Sequence, residues 1–463
     1  MKIFSLDEEQ IMEQTKTGKT VVAVIGFGYV GASIGSLLAR NNKVIAIDVN
    51  PAIINAVNNG KSPINEPEVE GLISDALKKG NIRATAQISE VADADVILVT
   101  VGTPLGKNYE PNLEYINEVS EKLGSLVGKG AMIILKSTVT PGTTEELVKI
   151  MLEKKSNLKA GKDFGLAFCP ERLAEGSAIQ DLKKLPIIIG GIDAESGKKA
   201  ESFWRSNGFV TTKVSSAKAA EMAKLADNLW IDANIALANE LAMLCERMGL
   251  DASEVIDAAN SLPKGRSMVN ILYPGCGVGG SCLTKDPWFV YHLGKKAGLN
   301  LKTPKTSREV NEAMPAHTVD LVKSCLAYAN KKIKGSRIAV LGLAFKGGTG
   351  DVRNTPMKEI VKLLEAENCI VTAYDPWVTE NDARMIAGNV AKTPESAIEN
   401  ADCILIGADH PQFKSLDLKK LHGIAAEGCS IVEGRIIFGP VKAAENGFGY
   451  AGIGKPQGGR IHG

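Results

Sequence analysis

The 463-residue chain has almost no net charge: 54 Lys and Arg against 53 Asp and Glu leave a formal +1. That argues against a nucleic-acid partner and against polybasic attachment to a membrane, both of which need a charge excess. Long apolar runs are absent too, and none approaches the ~20 residues needed to span a bilayer. The first residues, MKIFSLDEEQIMEQTKTGKT, are polar and acidic and hold no apolar core for a signal peptide. Phe4, Ile11 and Met12 are spaced to lay a short helical arm against the body. There is no CxxC pair, and the eight cysteines are scattered rather than gathered into a framework. Free thiols in a reducing compartment, the cytoplasm, are therefore expected. No residue cluster is assigned to a metal. What remains is a globular composition on a chain too long for one ordinary domain.

Residues 20–26 (TVVAVIG) read as a buried strand, followed by Gly26-Phe-Gly28-Tyr-Val30-Gly31, an apolar helical stretch, and the strand KVIAID ending at Asp48. Strand, GxGxxG, helix, strand and an acidic residue about twenty positions on form the dinucleotide fingerprint in its full context. Gly26, Gly28, Val30 and Gly31 then bring backbone amides to a pyrophosphate at the helix N-terminus. Asp48 meets the adenosine ribose, and its charge favours NAD over a 2′-phosphorylated cofactor. Two further strands, at 94–100 and 131–137, end in loops bearing Thr103 and Thr138. Loops at that end of a parallel sheet line the ligand crevice, although each threonine alone is equally well read as turn chemistry. Thr143 with Glu146 reads as a capping box. Strand 164–168 delivers Cys169-Pro-Glu171-Arg-Leu-Ala-Glu175-Gly, whose two carboxylates suit acid–base work or, more plainly, a solvated loop.

From 217 to 248 the texture becomes that of one long helix. Lys224 and Asn228, four apart, share a face, and Asn234, Asn239 and Glu240 add polar groups to an apolar stretch. Lys264-Gly-Arg266 leads to Pro274-Gly-Cys-Gly-Val-Gly-Gly-Ser281-Cys282-Leu-Thr-Lys-Asp286-Pro287. Four glycines so close to Cys282 predict a tight, exposed loop that presents a nucleophilic sulfur, against the alternative of a packed turn with an incidental thiol. Helical sequence is expected again over 288–330. From 336 the chain echoes its first section, with RIAVLGLAFKGG in place of the fingerprint and Asp375 in place of Asp48. Its loop carries Lys346, Asp351 and Arg353, a later strand ends at Arg435, and the bases among these suit a phosphate-bearing ligand. The tail from Gly452 is expected to be loose. The fold class is α/β, with two Rossmann-like doubly wound domains joined by a long central helix and a small helical middle domain. The expected divisions are 1–213, 214–330 and 331–463.

A thiol beside NAD suits onward oxidation of an aldehyde, because a thiolate forms the tetrahedral adduct from which hydride leaves. The motifs GFGYVG with Asp48, STVTPGTT (137–144), CPERLAEG (169–176), EMAKLADNLWIDANIALANELA (221–242), PGCGVGGSCLTKDPWF and FKGGTGDVRNTP (345–356) span nearly the whole chain. In these the sequence resembles the UDP-glucose/GDP-mannose dehydrogenase family. The resemblance implies oxidation of a nucleotide-sugar C6 hydroxyl to a carboxylate with two NAD at one site. It implies Cys282 as nucleophile, Lys224 and Asn228 at the oxyanion, Asp286 as base with a water, and Thr138, Glu171 and Glu175 lining the reaction centre. Lys346 becomes a substrate contact, beside Arg435 as a candidate from the residue pattern, Arg353 a cofactor contact, and Arg266 an arginine that in relatives reaches a neighbouring subunit's substrate. The long helix resembles the family's dimer interface, so a homodimer or higher homo-oligomer is expected. PGCGVGG and NIALANELA resemble the branch acting on UDP-N-acetylhexosamines. Ser281 stands where that branch usually has His and where the UDP-glucose enzymes have Ser, and Ile231 stands where the branch commonly has Arg. UDP-glucose is therefore the second reading. A non-catalytic nucleotide-sugar-binding protein is the alternative of a different class, and the complete residue set speaks against it.

Overall fold

The computed structural model describes residues 2–265 and 267–456. The chain divides into two compact units, Met1–Asp227 and Asn228–Gly463. The division falls within one 32-residue helix, Ala217–Met248.

The first unit is built on eight strands: β1 (Val21–Ile25), β2 (Lys43–Ile47), β3 (Ile82–Thr85), β4 (Val96–Val99), β5 (Met132–Leu135), β6 (Gly165–Phe168), β7 (Ile187–Gly191) and β8 (Thr211–Lys213). Their order is β3-β2-β1-β4-β5-β6-β7-β8, with neighbours parallel except β6 and β7. The middle strands are continuous apolar runs because helices cover both faces of the sheet. Ile3, Phe4 and Ile11 of the N-terminal arm are buried as expected, while Met12 points to solvent.

The second unit contains a short hairpin, β9 (Pro263–Lys264) with β10 (Ser267–Met268), and a six-stranded parallel sheet. That sheet comprises β11 (Arg337–Leu341), β12 (Ile370–Tyr374), β13 (Asn389–Val390), β14 (Cys403–Ile406), β15 (Ser430–Glu433) and β16 (Gly449–Gly452). The order β13-β12-β11-β14-β15-β16 repeats that of β3-β2-β1-β4-β5-β6. The echo in the sequence is thus an echo in topology. Among the described residues, no helix is long and apolar enough to cross a membrane.

Four local expectations are corrected. No capping box forms at Thr143: its hydroxyl donates to the Thr140 carbonyl at 2.6 Å. The next helical turn is instead capped by Glu221 of the long helix, which accepts from Gly142 N at 2.6 Å and from Thr144 N and Oγ1 at 2.8 and 2.6 Å. A buried carboxylate reaching from elsewhere leaves no local spacing signal. Helical sequence after the cysteine loop is two helices, Asp286–Lys296 and Thr303–Tyr328, parted at Gly298, whose φ of 74° ends the first. The tail is fixed through residue 455: Gly454 O accepts from Ala252 N at 2.7 Å, Gly454 N donates to the Glu246 carboxylate at 2.8 Å, and Lys455 pairs with Asp251 at 2.7 Å. The loop before Cys282 is mostly buried, as its packing below explains.

Within the second unit a buried polar chain runs from the later part of the helix Ala217–Met248 to the helix Thr303–Tyr328. Asp232 (0 % exposed) accepts from Arg308 Nη1 and Asn311 Nδ2, both at 2.8 Å, and Asn239 Nδ2 donates to Asn311 Oδ1 at 2.9 Å. Arg308, itself 2 % exposed, also pairs with the more accessible Glu312. Removing one partner of a buried pair strands the other's charge. Asp232→Ala is expected to cost about 3–5 kcal/mol in urea unfolding, and a loss below ~1 kcal/mol contradicts this role.

Candidate active site

In the first unit the three fingerprint glycines have three different physical reasons. Gly26 (φ +88°) turns the chain where the strand order reverses, and a Cβ there meets Thr100 O at 3.0 Å. Gly31 lies so close to β1 that a Cβ would stand 2.0 Å from Gly26 O. At Gly28, the N-cap of the helix Tyr29–Leu38, a Cβ would meet nothing within 4 Å. The turn is therefore tight on the protein side and open on the other, which fits an approaching pyrophosphate. Val30 is half-buried in the first helical turn. Asp48 accepts from Phe27 N at 2.7 Å and from Asn50 N at 2.9 Å, so it braces the glycine turn from β2. Gly26, Gly28, Val30, Gly31 and Asp48 would hold NAD.

Hydroxyls stitch the adjoining strand ends together. Thr100 donates to Gly26 O, Ser137 to Val101 O at 2.7 Å, and Thr103 to Thr138 O at 2.6 Å. Thr103 and Thr138 are therefore joined and buried at the carboxyl ends of β4 and β5. Just beyond β6, Glu171 pairs with Lys224 Nζ at 3.1 Å, both side chains nearly inaccessible. Burial opposes ionisation of Glu171, but Lys224, the Leu173 amide and the more distant Lys136 outweigh it and hold the carboxyl below its usual range. Glu175 is half-buried four residues on. Lys136 escaped the sequence reading: it is 2 % exposed, donates to Cys169 O at 2.9 Å and lies over the Trp204 ring. Its only signal was a cation closing an apolar strand.

In the second unit, the segment before Cys282 is glycine-rich because it is tightly packed. A Cβ on Gly275 would stand 2.7 Å from the Arg435 guanidinium, on Gly277 2.9 Å from Pro356, and on Gly279 2.4 Å from Phe345. Arg435 reaches the Pro274 carbonyl, Gly280 N donates to Arg353 O at 2.9 Å, and Asn354 Nδ2 bonds Thr284. The helix polar groups hold the same segment by its backbone. Asn234 bonds Asn270 O and Leu272 N, Asn239 accepts from Gly275 N at 3.0 Å, and Arg308 touches Leu283 O at 3.4 Å. Asn234 and Asn239 thus serve the loop, while Glu240 faces solvent.

Cys282 emerges half-buried from this scaffold, one turn ahead of the helix Asp286–Lys296, with Lys285 N and Asp286 N bonded to its carbonyl. Ser281 Oγ lies 3.8 Å from its sulfur. Asp286 is fully buried, accepts from Asn228 Nδ2 at 2.5 Å and pairs with Lys285 at 2.9 Å. The other seven cysteines are buried. Burial pushes the thiols of Cys169, Cys325 and Cys369 up to about 11 and that of Cys429 to about 12, which keeps them inert.

Where the order of the second sheet reverses, Gly342 (φ +91°) abuts Ala408 as Gly26 abuts Thr100. Asp375 accepts from Leu343 N and Ala344 N as Asp48 accepts from Phe27 N. His410, also unnoticed in the sequence, bonds Asp375 at 3.0 Å and accepts from Gly348 N at 3.2 Å, so the loop carrying Lys346 is held from below. Arg353 is bound by Asp351 through both carboxylate oxygens. Arg266 lies outside the described residues.

Residues 20–207, 218–313 and 339–440 match, respectively, the NAD binding, central and UDP binding domains of the UDP-glucose/GDP-mannose dehydrogenase family. The chain belongs to that family. It is an NAD-dependent nucleotide-sugar dehydrogenase of α/β fold. A UDP-N-acetyl-D-mannosamine dehydrogenase of Pyrococcus horikoshii is 35% identical over 94% of this chain and 99% of its own. The solved NDP-N-acetyl-D-galactosaminuronic acid dehydrogenase of Methanosarcina mazei is 32% identical with a TM-score of 0.81, covering 97% of this chain and 98% of its own. A UDP-glucose dehydrogenase of Pyrobaculum islandicum superposes with a TM-score of 0.84 at 30% identity, covering 94% and 98%.

The glycine geometry separates folding from binding in this dehydrogenase. Gly28→Ala is expected to leave stability within ~1 kcal/mol while weakening NAD binding, since the new methyl occupies the open face. Gly31→Ala is expected to cost about 1–3 kcal/mol or more by overpacking the turn. Urea unfolding and NAD titration of the two variants read this; equal stability losses contradict it.

Proposed function

We propose that this dehydrogenase oxidises the C6 hydroxyl of a UDP-N-acetylhexosamine to the carboxylate, consuming two NAD per sugar. The observation carrying this reading is the one half-buried thiol among eight cysteines, set a single turn ahead of a buried carboxylate that Asn228 engages. The alcohol loses a proton and a hydride to give the aldehyde. Cys282 adds to the aldehyde carbon, forming a thiohemiacetal whose oxyanion Lys224 and Asn228 stabilise. Loss of a second hydride gives a thioester, and water displaces the Cys282 sulfur to leave the carboxylate and a free thiol. NAD, when bound, accepts the hydride of each oxidation. Lys224 assists removal of the alcohol proton, and Asp286 acts as base with a water. Thr138, Glu171 and Glu175 line the reacting carbon, Glu171 being held ionised and so fit to activate the hydrolytic water.

Lys346 and Arg435 contact the nucleotide sugar, and Arg353 and Thr103 lie toward the cofactor. We assign residues 1–213 to NAD, 214–330 to the cysteine loop and dimerisation, and 331–463 to the nucleotide sugar. Trp230, Leu237 and Leu244, spaced by seven on the long helix, form an exposed apolar face. Its covering partner is a second copy of the chain. The working compartment is the cytoplasm, in keeping with eight cysteines none of which is disulfide-bonded.

UDP-glucose is the second reading, favoured by Ser281 before the nucleophile. NADH formation across a panel of UDP- and GDP-sugars decides between them. Two NADH per sugar are expected with a UDP-N-acetylhexosamine and a uronate product, and Cys282→Ser is expected to abolish uronate. One NADH per sugar, or full uronate production by Cys282→Ser, contradicts the proposal.

A further inference from the structure

Glu171 and Glu175 sit on a strap, residues 169–177, that has no regular secondary structure until the helix Ala178–Lys184 begins. The strap is secured by a side chain remote in sequence. Glu66 is 6 % exposed, although carboxylates are rarely buried without partners. Its Oε1 accepts from Ala178 N at 2.7 Å, and its Oε2 accepts from Gly176 N at 2.8 Å. The third donor is the Tyr29 hydroxyl, 2.6 Å from Oε2 and also 3.1 Å from the Ala174 carbonyl. Tyr29 follows Gly28 directly and is the first residue of the fingerprint helix. One carboxylate thus joins the turn that receives the cofactor pyrophosphate to the strap that carries two site carboxylates.

A plainer function for Glu66 is to cap the short helix at Ala178. That function uses the Gly176 and Ala178 amides and has no need of Tyr29. The tyrosine hydroxyl is the part of the arrangement that a cap leaves unexplained. Burial, and then the Glu66 charge, push its pKa well above the usual range, so the hydroxyl stays a donor at every working pH.

We propose that Tyr29 and Glu66 are positioning residues that link the dinucleotide turn to the 169–177 strap, so that NAD bound at Gly26–Gly31 steadies Glu171 and Glu175. The inference rests on the reading that the pyrophosphate lies over the Gly28 turn. Anion contact with the first-turn amides fixes the direction of the Tyr29 side chain. The hydroxyl passes that constraint to Glu66, and Glu66 passes it to the strap amides. A reaction that exchanges cofactor between two oxidations needs its carboxylates set afresh each time, and this link supplies the setting from the cofactor side.

Hydrogen exchange of the full-length protein with and without NAD tests the link. In the wild type, NAD is expected to slow exchange both across 26–31 and across 174–178. In Tyr29→Phe the slowing across 26–31 persists, while that across 174–178 falls by about tenfold, the scale of one hydrogen bond to a charged group. Glu66→Gln, read in the same way, is the second variant and is expected to lose the strap response likewise. Slowing at 174–178 that is equal in the wild type and Tyr29→Phe overturns the proposal, as does slowing at 26–31 alone in the wild type. No slowing at 26–31 overturns the cofactor reading itself, and this inference with it.

Discussion

The buried chain Asn239–Asn311–Asp232–Arg308 is the interaction on which the placing of the cysteine loop depends. Its members sit on the helix Ala217–Met248, beyond residue 227, and on the helix Thr303–Tyr328, and its ends reach the backbone at Gly275 and Leu283, either side of the cysteine. A loop with four glycines is entropically costly to order. Here packing against Phe345, Pro356 and Arg435 and hydrogen bonds to buried amides and a guanidinium offset that cost. The glycines serve close packing first, and they leave Cys282 half-buried one turn ahead of the helix Asp286–Lys296.

The two parallel sheets share one strand order but differ in what they offer where that order reverses. In the first, a turn tight toward the protein and open at Gly28 is suited to backbone recognition of a pyrophosphate. In the second, the equivalent turn is closed by Asp375, Asp409 and His410, which occupy its amides and leave Lys346 on a braced loop. One topology thereby serves a cofactor and a nucleotide sugar in one chain.

Much of this was legible in the sequence. The fingerprint, its echo from residue 336 and the long helix are periodic or motif-borne signals, and the structure keeps them nearly residue for residue. What escaped was carried by long-range partners. Glu66, Glu221 and Arg308 each satisfy backbone groups distant in sequence, and nothing in their neighbours marks them. The capping box at Thr143 failed for that reason, because Glu221 reached the helix start first. Asn234 and Asn239 were rightly noticed as polar groups with something to bind, and what they bind is the loop's own backbone. Exposure of the cysteine loop was misjudged because glycine marks close approach as readily as flexibility.

The central claim is that the fold presents one thiol for chemistry and buries the other seven. Alkylation of the native protein with limiting iodoacetamide, followed by peptide mapping and activity assay, tests it most directly. The account predicts that Cys282 is modified first and that dehydrogenase activity falls in proportion to its labelling. Activity lost while Cys282 remains unlabelled, or retained after Cys282 is fully alkylated, would contradict it.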